Sequence, residues 1–147
     1  MVDLATGIGR PGQTDFAHRV WPADPQQLRA IRSAVHQWLA PLGLTDQTHH
    51  DLLVAADEAA SNSVEHAYPA AATGAVVDLT FWTEANTFNL KITDHGTWQP
   101  PAAQPNGRVL GITLMQRLVE FVAIHYDTDG TTVLLRHPRP ASAWPAG

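Results

Sequence analysis

The order of apolar patterns along this chain predicts an α+β fold: a two-layer sandwich with helices segregated on one side of an antiparallel sheet. Three observations carry that prediction. Residues 25–43 and 45–68 have helical periodicity, two pairs of β-rich segments are each joined by a short turn, and a third helical segment lies between those pairs. The 147 residues suit one domain with a real core, and 44% apolar against 16% charged residues is a globular composition.

In chain order, "DFAHRVWP" reads as a short strand. "ADPQQLRAIRSAVHQWLAPLG" follows as a helix, with Asp24 as N-cap, Pro25 in the first turn, and Leu28, Ile31, Val35, Trp38 and Leu39 at helical spacing. Thr45 or Asp46 caps a second helix that runs to Tyr68, where Pro69 stops it. "AVVDLTFWTEA" and "TFNLKITD" form a hairpin near Asn86, and a polar Pro- and Gly-containing loop spans 95–108. "LGITLMQRLVEFV" has a helical apolar face. "AIHYDT" and "TTVLLRH" make a last hairpin around Asp129 and Gly130. Residues 15–137 form the domain, with 1–14 and 138–147 read as flexible ends.

The formal charge is −5 and no basic run occurs, which argues against a nucleic-acid surface. Without cysteine there is neither a disulfide nor a thiolate metal site. No signal-like segment or membrane-length apolar run is seen, so a cytoplasmic location is the default and no membrane partner is expected. The eight histidines include no HExxH, and His49 and His50 are adjacent and so point to different sides of a helix.

"VAADEAASNSVEHAY" sets Glu58, Asn62, Glu65 and His66 along one stripe of the second helix, opposite Leu52, Leu53, Ala56, Ala60, Val64 and Ala67. Taken alone this is the solvated face of an amphipathic helix. Two details point to a site instead: residues 51–68 contain no Lys or Arg, and the small residues Ala55 and Ser61 leave room for a ligand. Glu58 and Asn62, one turn apart, can present a carboxylate base and an amide oxygen to a hydrated Mg2+, a hard ion that takes oxygen ligands.

"ITDHGTW" puts Asp94 at a strand end, followed by Gly96. An Asx turn accounts for the pattern. So does an acceptor-only carboxylate receiving an exocyclic amine beside a glycine that lets a flat ring approach. In "NGRVLGITLMQRL", Gly107 and Gly111 bracket a helix start where backbone amides can cradle phosphates, with Arg108 adding charge; the Walker lysine is absent.

Together and in this order, these segments resemble the Bergerat-fold (GHKL) ATPases. "DEAASNSVEHAY" resembles the N box, "DHGTW" the G1 box and "GRVLGITLMQRL" the G2 box, while "GTTVLLRH" is similar to the strand that closes the adenine pocket. The short chain and the His-Ala-Tyr ending of the N box are most similar to the anti-sigma-factor serine/threonine kinases, over roughly residues 16–137. The resemblance implies a mixed, mostly antiparallel sheet, with ATP and Mg2+ as cofactors.

Carried over by position, it makes Glu58 the general base and Asn62 the Mg2+ ligand. Asp94 binds the adenine amine with Gly96 beside it. Gly107, Arg108 and Gly111 belong to the lid and phosphate cradle, Thr132 lies near the adenine, and His66 has a supporting role. Implied partners are a sigma factor and a STAS-domain anti-sigma-factor antagonist. A homodimer is also implied; Phe81 and Trp82 on neighbouring strand positions point to opposite faces, so one packs on the helices and the other lends apolar surface that needs separate cover. One departure is Val109, where the family has the second glycine of Gly-Arg-Gly; a β-branched residue there stiffens the lid. It leaves open a nucleotide-dependent binding module without kinase activity. The kinase-like domain of a larger phosphatase–kinase regulator is a further alternative.

Overall fold

A computed structural model describes residues 16–66, 74–96 and 108–138. The ends at 1–15 and 139–147, the segment 67–73 and the loop 97–107 lie outside the described residues, and with them the expected stop at Pro69 and the lid expectation. Strand β1 (Phe16–Pro22) leads through a 3-10 turn at Pro25–Gln27 into α1 (Leu28–Leu39). The Asp24 side chain accepts from the Gln26 amide at 2.9 Å, so the expected cap is there, but it caps the 3-10 turn and not the α-helix proper. A second 3-10 turn, Ala40–Leu42, ends at Gly43, whose φ of 70° suits a residue without Cβ. Then come α2 (Asp46–His66), β2 (Val76–Thr83), β3 (Thr87–Asp94), α3 (Arg108–Leu118), β4 (Phe121–Asp127) and β5 (Gly130–Pro138).

The five strands lie in the order β1-β2-β3-β5-β4, and every pairing among them is antiparallel, so the sheet is not mixed. The third helix ends at Leu118, earlier than its apolar pattern suggested. Phe121 and Val122 belong to β4, where they pair with Arg136 and Leu135.

All three helices cover one face of the sheet, with α2 packed between α1 and α3. Each strand therefore alternates between a core side and an open side. On β2, Val77, Leu79 and Phe81 are buried while Asp78, Thr80 and Trp82 are less so. Phe81 is thus core, and only Trp82 of the expected pair contributes to the open face. Phe16 and Val20 on β1 are exposed on that same side. Asn89 is the exception there: it is fully buried because its Oδ1 accepts from Arg136 Nε at 2.7 Å and its Nδ2 donates to Glu84 at 3.1 Å.

The core is not uniform. Trp21, Trp38, Phe81 and Phe88 form a chain of ring contacts, with centroids 6.5, 5.8 and 6.3 Å apart, that joins α1 to β1, β2 and β3. The buried face of α2 is instead rich in small residues, Ala55, Ala56, Ala59, Ala60 and Ser63. Bulky rings hold α1 against the sheet. Small side chains bring the α2 backbone close to the end of β3, where Asp94 lies.

Candidate nucleotide site

Asp94, the last residue of β3, is 2% exposed. Its Oδ1 accepts the Gly96 amide at 3.0 Å, which is the Asx turn, and its Oδ2 accepts the Ser63 hydroxyl of α2 at 2.8 Å. An ionised carboxylate has further lone pairs, so two donors leave it able to accept more. Gly96 is buried beside it and supplies the amide of that turn.

Across the sheet, Thr131 is the register partner of Asp94. Its Oγ1 is buried and has no hydrogen-bond partner among the described residues. Next along β5, Gly130 has a φ of 143°, and a methyl group there would overlap the Asp94 carbonyl oxygen and come within 2.8 Å of the His95 Cα. The glycine in the hairpin turn therefore also lets β5 close against the end of β3.

These groups border a recess of about 10 Å3, room for roughly one water molecule. Ala59, Met115, Ile124 and Val133 give it apolar walls, and Asn62, Ser63, Asp94 and Thr131 give it polar ones. It is too small to be a compartment for a whole ligand.

The structure brings Asn62, Asp94 and Gly96 together. Glu58 is half-buried one turn before Asn62 on α2, whereas Glu65 is exposed. The stripe is thus neither uniformly wet nor uniformly part of the recess. Ala55, read as part of the polar stripe, is fully buried in the core. Arg108 and Gly111 lie in the first turns of α3, with their side-chain surroundings outside the description; Gly107 lies outside the described residues altogether. Val109 is helical within α3, a conformation a β-branched residue adopts without strain.

Thr132 does not face the recess. It stands on the open side of the sheet, its Oγ1 3.5 Å from that of Thr93, and the preceding residue, Thr131, is the one that turns inward. Ser63 was not singled out either. Thr131 and Thr132 differ in which face of the strand they take, whereas the phase of α2's alanines carries the signal for Ser63: Ala55, Ala56, Ala59 and Ala60 continue to Ser63 at helical spacing.

An antiparallel sheet with helices on one face, and a buried carboxylate between the sheet and the middle helix, define a two-layer α+β sandwich with a recess at the end of β3. The chain belongs to the histidine kinase-like ATPase domain family, whose profile matches residues 21–137. Among solved structures it is similar to the RsbU and RsbW domains of Rv1364c from Mycobacterium tuberculosis, at 26% identity and a TM-score of 0.65. That match covers 86% of this chain and 33% of the other, so the chain spans about a third of the length of the solved chain it matches. No helix among the described residues is long and apolar enough to cross a membrane.

Proposed function

We propose that this is an ATP-binding anti-sigma factor with protein serine/threonine kinase activity, acting in the cytoplasm. Its substrate is a small STAS-domain antagonist and its other client is a sigma factor. The observation that carries the nucleotide reading is the buried Asp94 carboxylate, held from two sides and adjoining a buried Thr131 hydroxyl with no described partner. A carboxylate acceptor beside an unsatisfied hydroxyl is suited to the amine-bearing edge of adenine.

In this reading Thr131 takes the place expected for Thr132. Asn62 and Glu58 offer an amide oxygen and a carboxylate, a donor set that fits Mg2+. Mg2+, when bound, supplies neutralisation of phosphate charge. Glu58 serves as general base toward the acceptor hydroxyl, and Gly107, Arg108 and Gly111 contribute to the phosphate cradle. A homodimer through the open sheet face that carries Phe16 and Trp82 is tested by light scattering at micromolar concentrations; a monomer throughout counts against it.

Titration with ATP and GTP tests the reading directly. Guanine presents a carbonyl where adenine has its amine, so two acceptors face each other and GTP should bind weaker by about 1–3 kcal/mol. Equal affinities remove Asp94 from its role. Transfer from labelled ATP to candidate antagonists separates a kinase from a nucleotide-dependent scaffold. The likeness to a chain in which an RsbW domain accompanies an RsbU domain supports a further version, in which the same domain works within a larger regulator.

A further inference from the structure

The geometry points to Ser63 as a specificity-determining residue: it holds the Asp94 carboxylate in one orientation and commits its own proton to it, so that the pair presents no donor toward the purine. The inference rests on the reading of Asp94 as the base contact. Ser63 is 4% exposed and Asp94 2%, and their 2.8 Å hydrogen bond joins α2 to the end of β3. The torsion that turns an aspartate carboxylate has broad, shallow wells, so the plane of the group is set by its partners. Here Ser63 Oγ–H holds Oδ2 and Gly96 N–H holds Oδ1, one donor on each oxygen.

A hydroxyl has one proton. Committed to Asp94, the Ser63 proton cannot also be given to an incoming carbonyl. The Ser63–Asp94 pair therefore offers the recess acceptors only, which welcomes an amine and opposes a carbonyl.

Removing the hydroxyl changes that balance. The space released by Ser63→Ala adjoins the recess of about 10 Å3 that Ser63 lines, which already has room for about one water, so that a water should shift into the place of the lost hydroxyl against Oδ2. Water has two protons and turns freely: one can serve Oδ2 while the other is donated to a guanine-type carbonyl. The fixed donor is replaced by an adaptable one, and discrimination falls.

The test is calorimetric titration of Mg-ATP and Mg-GTP into the wild-type chain, Ser63→Ala and the near-isosteric Ser63→Cys, with a thermal melt of each. The wild type should prefer ATP. In Ser63→Ala the ATP-to-GTP affinity ratio should fall about tenfold, largely through tighter GTP binding, with Ser63→Cys intermediate because a thiol is a weaker donor. A purely structural serine lowers the melting temperature and weakens both nucleotides together, leaving the ratio unchanged; that result overturns the proposal. Should Ser63→Ala not fold, the ratio in Ser63→Cys decides alone. A wild type without ATP preference instead sinks the reading of Asp94, a failure distinct from an unchanged ratio in variants of an ATP-selective parent.

Discussion

Leaving a buried hydroxyl without a partner costs on the order of 1–3 kcal/mol, and the Thr131 hydroxyl is in that position among the described residues. A nearly isosteric Thr131→Val change removes that cost along with the hydroxyl. It should raise the stability of the nucleotide-free protein by about 1 kcal/mol while weakening ATP binding, a pairing that denaturant melts and titration read together. A variant that loses stability would mean that the hydroxyl already has a structural partner. Glu58 and Asn62 separate in another way. Glu58→Ala should lower phosphoryl transfer by about 10²–10⁴-fold with ATP affinity within a few-fold, whereas Asn62→Ala should weaken Mg2+-dependent binding as well. If all three of Glu58→Ala, Asn62→Ala and Glu65→Ala leave both quantities at parental values, the stripe is only a surface. Glu58, Asn62 and Asp94 were legible as candidates because their types and spacing carry chemistry. Thr131 was not, because a one-residue change of phase on a strand reverses the face a side chain takes, and packing elsewhere sets that phase; Ser63, on α2, is marked only by the helical phase of the buried alanines before it.

Where elements begin and end was less legible than their order. The third helix was read past Leu118 because Leu118, Val119 and Val122 sustain an apolar spacing that a helix or a buried strand can satisfy equally. Pairing with β5 decides for the strand from Phe121 onward. Between α1 and α2, His36 Nδ1 and His49 Nε2 lie 2.9 Å apart, a bond that needs one ring nitrogen to accept. The His49 pKa is lowered from 6.5, first by burial, then by the neighbouring His36, against a smaller pull from Asp46. That of His137 is lowered too, by burial, against Glu120 and Asp51, and its Nδ1 lies 3.4 Å from the donating Glu120 amide. A histidine with a lowered native pKa binds fewer protons folded than unfolded. Its stabilising contribution is therefore complete above 6.5 and is lost as pH falls from there through the native value. Melting temperature should be level above pH 6.5 and decline as pH falls below it, with a shallower decline in His49→Gln. A flat profile would show that neither ring titrates differently on folding.

For the whole molecule, the two-layer architecture followed from the alternation of patterns, and the antiparallel hairpins from their short turns. The β3–β5 pairing had no local signal, since the residues that join those strands include a helix and another strand. That pairing has a kinetic consequence. The β2–β3 and β4–β5 hairpins need only short loops to close, whereas setting Asp94 opposite Thr131 requires closing the chain through all of α3 and β4. On that closure cost the recess should form only when the two hairpins zip together, late along the folding route. A nucleotide that recognises the joined strands stabilises the native state and not the barrier leading to it. In stopped-flow experiments Mg-ATP should therefore slow unfolding while leaving the refolding rate where it was, so that bound nucleotide acts as a latch on a seam the chain has already closed unaided.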